Sequence, residues 1–346
     1  MLCNLCGYEE PSLKQFSNHI QKVHKLPSQE YTVTHLLSGK HPKCLHEGCN
    51  ETPRYVSFMF KKFCHNHHLD GQAAGGANKR GTKIQELSTF IRSLGINVHM
   101  KRGWVHLDSQ PLRFTIRTLT VKEKNGLARN DYRSAQISGL TSVGFFADEW
   151  EFQRAVCESM IRSRLKLNAT RISARKTVLK QITATQSQEF LKRCHVQRAT
   201  NAKAHFGLFF ENRLVGVATV RAPIQQKYGR VSELARMAFE LNTTVIGGAS
   251  KLMKAARHWS LEKGYVGILS YAELRYGEGC VYSQCGFELV GESTKNYWYS
   301  NGKERFNRFT YRAQEGLSEA LFAESKGVWP VWGVGNKVYL MKFCDI

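Results

Sequence analysis

Acidic side chains are scarce in this chain of 346 residues: 28 Asp and Glu stand against 50 Lys and Arg, a formal charge of +22. Such a field attracts polyanions and releases their counterions on binding, so DNA or RNA is the first partner to consider. A basic protein that merely stays soluble is the bland alternative. Long apolar runs are missing as well. No stretch of about eighteen apolar residues occurs, so no membrane-spanning helix is expected. No segment reads as a clean basic amphipathic helix that would lie on a membrane surface. The opening MLCNLCGYEEPSLKQ has no charged start followed by an apolar stretch, so a secreted protein is not expected. What is present is an ordinary hydrophobic share of 42%, enough for real cores, and a length that favours two or three domains.

The ten cysteines fall unevenly, five of them within the first 64 residues and beside most of the histidines. Without a secretion signal, such spacing means metal ligands rather than disulfides. Cys3, Cys6, His19 and His24 form C-x2-C-x12-H-x4-H, two cysteines on a tight knuckle and two histidines on one helix face, which can close a tetrahedral zinc site. Leu13, Phe16, Ile20 and Val23 fall at helical spacing between them, with Ser12 as the expected N-cap. Cys44, Cys49, Cys64 and His67 form a second cluster, C-x4-C-x14-C-x2-H, in which His65 or His68 could replace His67. The strand-like YVSFMFKKF between its knuckles suits a small zinc ribbon. Both zinc sites are expected to be structural, replacing cores that such short segments cannot build.

Residues 70–82 are rich in Gly and Ala and read as a linker. A helix is expected from about Lys83, with Ile84, Leu87, Phe90, Ile91 and Leu94 on one face. Short strand-like runs follow, then a helical stretch near Tyr132 to Ser138, then the apolar strand TSVGFF ending in ADEW.

The pieces KIQELSTFI, PLRFTI, VKEKNGLARN and FFADEW resemble, in that order, the catalytic domain of phage homing endonucleases of the EDxHD group, which are related to very-short-patch-repair nucleases. The resemblance implies Glu86, Arg113, Glu123, Asn130 and Asp148 at the site positions. Such a nuclease needs carboxylates around a divalent cation that polarises phosphate and activates water. Arg113 stands where that group has an Asp, and Asn130 where it has a His, so the region reads as a degenerate nuclease. Glu86, Glu123 and Asp148 would be the surviving site, with Mg²⁺ only if cleavage persists and Asp108 as a possible replacement ligand.

From about Thr177 strands and helices alternate. HFGLFF and LVGVATV are joined at ENR by a tight turn; SELARMAFE leads into Thr244–Lys251 and a long helix; then come YVGILSYAEL, a short helix around GCVYSQCGF, and a hairpin in an aromatic-rich tail. This order resembles a GNAT-type acyltransferase, whose small-residue loop holds the pyrophosphate of acyl-CoA. The resemblance implies Gly247, Gly248, Ala249, Ser250 and Lys251 for the donor, with Thr244 replacing the family's usual Arg or Gln. It also implies Tyr282 as the acid that protonates the leaving thiolate. Glu233, on the strand before the loop, is the candidate base acting through water. Arg236 could orient an anionic substrate or pair with Glu233, whereas His195 and His205 show no convincing partner. GNAT-like domains also occur in phage DNA-modifying transferases of the Mom type, which alter adenine. An extruded base would need an aromatic pocket, for which the tail offers Tyr297, Trp298, Tyr299, Trp329 and Trp332.

The expected architecture is therefore multidomain α/β: zinc-binding modules over 1–69 (finger 1–27, ribbon-like 40–69), a linker over 70–82, a degenerate endonuclease-like region over 83–165, and a GNAT-like mixed-sheet α/β domain with its tail over 170–346. The expected function is a phage-type DNA-binding protein capable of acyl transfer, located in the host cytoplasm. The alternatives are a metal-dependent homing endonuclease and a non-catalytic DNA-binding protein. Sequence leaves the oligomeric state open.

Overall fold

The computed structural model describes residues 1–10, 12–44, 49–56, 59–60, 64, 79–119, 127–223, 227–313 and 317–343. His65, His67, His68 and Glu123, and residues 70–78 of the expected linker, lie outside the described residues. Contacts divide the chain once, into Met1–Gln85 and Glu86–Ile346. Among the described residues no helix is long and apolar enough to cross a membrane. The mixed α/β class expected from sequence is what the chain adopts.

In the first unit the helix Leu13–Val23 follows the Cys3–Cys6 knuckle, and a short helix Ser28–Tyr31 follows it. Ser12 occupies the N-cap in extended conformation, but its hydroxyl makes no capping bond. Its own N–H donates instead to Glu10 Oε1 at 3.1 Å. Cys3, Phe16, Ile20 and Tyr31 form a small buried cluster, so the finger borrows Tyr31 from beyond its expected end at residue 27. The ribbon-like segment contributes a two-stranded antiparallel pair, β1 (Tyr55–Val56) and β2 (Met59–Phe60).

The helix Lys79–Ser93 begins four residues earlier than the sequence suggests. Lys79 and Arg80 are good helix formers, and the single Gly81 costs only about 1 kcal/mol, which does not stop the helix. A four-stranded sheet follows in the order β3 (Val98–Lys101), β4 (Trp104–Leu107), β5 (Leu112–Arg117), β6 (Thr141–Phe146). β5 and β6 run parallel, with the helix Leu127–Ile137 between them in the chain. Two helices, Ala147–Phe152 and Arg154–Arg164, close this region.

The main sheet has seven strands in the order β14 (Glu288–Glu292), β18 (Asn336–Lys342), β13 (Gly267–Glu273), β11 (Ser232–Phe239), β10 (Arg213–Arg221), β9 (Ala204–Phe210), β8 (Val178–Gln181). β9 and β10 form a hairpin through Glu211 and Asn212, both at positive φ of 48° and 60°. Two left-handed residues match the right-handed twist of the strands they join. Val217 on β10 packs with Phe190 and Leu191 of the helix Ala184–Cys194, whereas Ala218 belongs to the cluster containing Leu252, Met253 and Ala256 of the helix Gly248–Glu262. Both faces of β10 are therefore buried, which explains its nearly continuous apolar run.

The strand Thr243–Ile246 (β12) before the glycine pair does not join this sheet. It pairs parallel with β7 (Thr170–Ser173) in a separate two-stranded ribbon. The tail is likewise more than a hairpin: β15 (Tyr297–Ser300) lies between β16 (Arg305–Asn307) and β17 (Trp329–Trp332), while β18 enters the main sheet between β13 and β14.

Candidate functional site

Cys3, Cys6, His19 and His24 bring their ligand atoms within 4.8 Å of one another. Cys3 Sγ lies 3.4 Å from His24 Nε2, and Cys6 Sγ lies 3.3 Å from both His19 Nε2 and His24 Nε2. Tetrahedral zinc separates S and N ligands by roughly 3.5 Å, given its usual bond lengths. The donor set and spacing thus fit a metal ion of that kind. Cys44, Cys49 and Cys64 also converge, with Cys49 and Cys64 Sγ atoms 3.9 Å apart, and the Cys64 N–H donates to Cys44 Sγ at 3.3 Å. Both clusters could hold a metal ion.

The expected nuclease positions are occupied differently. Arg113 is buried on β5 and donates to Ser142 Oγ at 2.7 Å and to Asp131 Oδ1 at 3.0 Å. Its guanidinium lies 3.8 Å from the centre of the Trp104 ring, and Trp104 Nε1 donates to the other Asp131 oxygen at 2.8 Å. Asp148 accepts Arg305 Nε at 2.9 Å and the Arg305 backbone N–H at 3.2 Å. Glu86 accepts Trp150 Nε1 at 2.9 Å and Arg154 Nη1 at 2.8 Å. Asp108, the substitute ligand, is bonded to His99 Nδ1 at 2.7 Å on the exposed edge. Each acid described in this set is thus bonded to a nitrogen donor of another side chain, and they do not converge on a common point among the described residues.

Beside Asp148 lies a residue that sequence inspection passed over. Glu149 is buried and accepts from Arg275 (2.8 and 3.0 Å), Arg305 (2.7 Å), the Tyr276 hydroxyl (3.2 Å) and the Phe146 N–H (2.8 Å). Burial alone would raise its pKa, but Arg275 and then Arg305 carry it down to about 2.

A cavity with polar side chains in its wall opens in the main sheet. β11 and the parallel β13 pair only through Ser232–Ile268 and Glu233–Leu269, and then part. A cavity of about 410 Å³ is lined by both strands as they diverge, with Glu233 and Arg236 from β11, Glu273 from β13, Tyr282 from the helix Cys280–Gln284, and His195 and Gln197 from the loop after the helix Ala184–Cys194. Two sequence candidates, Glu233 and Tyr282, therefore share one wall.

Their surroundings set what each can do. The Tyr282 ring stacks on Tyr339 at 5.2 Å, and burial raises the pKa of its phenol, which keeps the hydroxyl a proton donor near neutral pH. Glu233 is held by Arg221 at 2.6 Å. Arg236 donates to the carbonyls of Arg198 and Ala235, at 3.1 and 2.7 Å. Glu273 receives Gln197 Nε2 at 2.8 Å on one oxygen and Arg275 at 2.5 Å on the other. His195 Nδ1 accepts the Gln197 N–H at 3.0 Å, which leaves the ring hydrogen on Nε2. Burial, and then Arg236, hold its pKa down at about 3, so the ring is neutral near pH 7. Glu273 and His195 join the site through the parting of the strands, which no local motif announces.

The glycine turn stands apart from the residues lining the cavity. Gly247 sits at φ 78°, a left-handed conformation that favours glycine. At Gly248 a Cβ would come within 2.7 Å of the Phe239 ring and 2.8 Å of Val245, so this glycine allows close helix–sheet packing. Lys251 Nζ donates to the Ala174 carbonyl at 2.8 Å and is also bonded to the Thr177 carbonyl and hydroxyl, which takes it away from the phosphate role expected of it. Ser250 Oγ lies 3.8 Å from Cys285 Sγ. Ala249 is half-buried at the start of the helix. Thr244 Oγ1 accepts from Asn168 at 3.0 Å.

The tail aromatics mostly serve packing. Tyr299 is buried, Trp298 meets Phe146 edge-on at 5.6 Å, and Trp329 Nε1 donates to the Leu119 carbonyl at 2.8 Å.

Residues 176–328, less than half of the chain, match the model of the Mom protein family. No curated protein matches the chain. Similar solved structures include an acetyltransferase from Bacillus subtilis in complex with CoA, at 13% identity, covering 49% of this chain and 100% of that one, with a TM-score of 0.31. The ribosomal-protein-S18-alanine N-acetyltransferase from Escherichia coli shows 10% identity, 49% and 96% coverage, and a TM-score of 0.31. A GNAT family acetyltransferase from Elizabethkingia anophelis with acetyl-CoA bound shows 11% identity, 49% and 99% coverage, and a TM-score of 0.30. The likeness to these structures is slight.

Proposed function

We propose that this chain is a zinc-bearing, DNA-directed acyltransferase that moves an acyl group from acyl-CoA to an amine on a DNA base. The observation that carries the reading is the cavity between the parting strands β11 and β13, where a protonated phenol and two carboxylates line one space. The match of residues 176–328 to the Mom protein family, whose members modify phage DNA, supports DNA as the acceptor. So does the charge of +22.

In this reading the acceptor nitrogen attacks the thioester carbonyl, its N–C bond forms, and the C–S bond breaks. The proton lost by the amine passes through water to Glu233, with Glu273 on the opposite strand as the second carboxylate within the same cavity. Tyr282 gives its proton to the departing thiolate. The first turn of the helix Gly248–Glu262 offers backbone N–H groups that lack intrahelical acceptors, which suits the donor's pyrophosphate. Arg236, which donates to the carbonyls of Arg198 and Ala235, would face the acceptor's anionic side.

Zinc would be held by Cys3, Cys6, His19 and His24, and by Cys44, Cys49 and Cys64 with a fourth ligand from outside the described residues. It would staple each module without entering the reaction. Metal-dependent cleavage draws no support from Glu86, Asp108 or Asp148, all of which are bonded to nitrogen donors.

The test is incubation of purified protein with acetyl-CoA and DNA, followed by digestion and mass spectrometry of the nucleosides. An acetylated nucleoside formed together with an equal amount of free thiol is expected. Thiol release without any modified nucleoside would remove DNA as the acceptor, and neither product would favour the non-catalytic DNA-binding alternative.

A further inference from the structure

Phe309 lies in the helical turn Arg308–Tyr311 that follows β16, and it is 55% exposed. Its aromatic neighbours behave differently: Phe306 and Tyr311 pack against the buried cluster of Tyr299, Ala323 and Val328. The outward ring is held in place by backbone, because Asn307 caps the turn by accepting the Phe309 N–H at 3.0 Å. Two guanidinium groups lie over the ring, that of Arg312 at 4.5 Å and that of Arg308 at 5.2 Å from its centre, and Arg308 also lies 5.0 Å from the half-buried ring of Tyr297.

These two arginines are unlike most others that the structure places near aromatic rings. Arg113, Arg154, Arg275 and Arg305 also lie over rings, but each is bonded to a carboxylate. Among the described residues Arg308 and Arg312 have no carboxylate within ion-pair distance. An exposed ring with two such cations beside it offers an apolar face for a base once the flexible arginine side chains swing from the ring to the neighbouring phosphates. Base stacking on an aromatic side chain with flanking positive charge is how unpaired nucleotides are gripped without sequence preference. Duplex DNA cannot use the flat face, because its bases are already stacked.

We propose that Phe309, Arg308 and Arg312 form a docking platform for unpaired DNA nucleotides, distinct from the cavity whose wall contains none of them. It rests on the reading of the chain as DNA-directed, and not on acyl transfer. A transferase acting on a base must take that base out of the stack, and such a platform would hold the opened strand.

The full zinc-loaded chain is titrated, without acyl donor, into a labelled single-stranded oligonucleotide and into a duplex of the same sequence, and anisotropy is read at several salt concentrations. Phe309→Ala is expected to weaken single-strand binding about fivefold or more, with the salt dependence unchanged and with Phe309→Tyr restoring affinity. The pair Arg308→Gln with Arg312→Gln is expected to flatten the slope of log K against log salt by about 1.4, at roughly 0.7 per cation on a single strand. Single-strand binding by Phe309→Ala within twofold of wild type overturns the platform, as does an equal loss on the duplex. Wild-type binding to duplex alone overturns the platform and leaves the DNA-directed reading in place, whereas binding to neither oligonucleotide removes both.

Discussion

Asp148 and Glu149 at one end of the helix Ala147–Phe152, and Glu233 and Glu273 on the parting strands, are all largely buried carboxylates within one body. Their neighbours give them opposite uses. Glu149 accepts five donors, which exhausts the roughly four lone-pair directions a carboxylate has. Nothing remains on it for a cation or a water. Glu233 and Glu273 are also anchored by arginines, yet both adjoin open space with a protonated tyrosine and a neutral histidine in its wall. Acidity in a sequence is thus a poor sign of chemistry unless the structure sets the carboxylate beside a cavity.

The contrast can be broken or sharpened in several ways. The largest effect belongs to the front unit, which relies on neither set. Removing zinc with a chelator should unfold the Cys3–His24 finger, since apparent binding energies of about 10–16 kcal/mol are the folding energy of such modules. Metal analysis should give two equivalents per chain, and circular dichroism should show the loss; a chelated protein with an unchanged spectrum would contradict it. Next comes Tyr282→Phe, which removes the proposed acid and should lower acyl transfer about 10²- to 10⁴-fold with little change in donor affinity. An unchanged turnover would remove the phenol from the reaction.

Glu149→Ala should cost about 3–5 kcal/mol of stability in denaturant unfolding, because it leaves two buried guanidinium groups without their shared partner. A smaller effect of the same group is its pH dependence. Its pKa is depressed in the folded state, from 4.5 to about 2. The stability it contributes is therefore fully present above about pH 4.5 and is lost as the pH falls towards 2, a share of about 3 kcal/mol. Glu149→Gln should flatten that acid limb. The smallest expected signal is none at all: with Mg²⁺, neither wild type nor Asp148→Ala should nick supercoiled DNA, and nicking that the substitution abolishes would reinstate the cleavage reading.

How much of this was legible in the sequence depends on how far apart the partners lie. The Cys3–His24 cluster was readable because all four ligands come from one knuckle and one helix, and spacing along 22 residues fixes their geometry. The hairpin at Glu211–Asn212 and the helix after the glycine pair were readable for the same local reason. The salt bridge between Glu149 and Arg275 spans 126 residues and carried no pattern. Departures at Arg113 and Asn130 spoke against a metal site there, and the bonds of Asp131, Asp148 and Glu86 show how those carboxylates are engaged. For Lys251 the resemblance implied a contact to the donor, whereas its ammonium meets the carbonyls of Ala174 and Thr177, from a turn more than 70 residues away. Glu273 and His195 could not be singled out, since neither meets the cavity until β11 and β13 separate.

The most direct measurement of the central claim is calorimetric titration of the zinc-loaded chain with acetyl-CoA, accompanied by thermal unfolding with and without it. A cavity that takes the acyl donor predicts saturable heat at one site per chain, and a rise in unfolding temperature that grows with ligand concentration. No heat and no shift, from protein that still binds DNA, would contradict it.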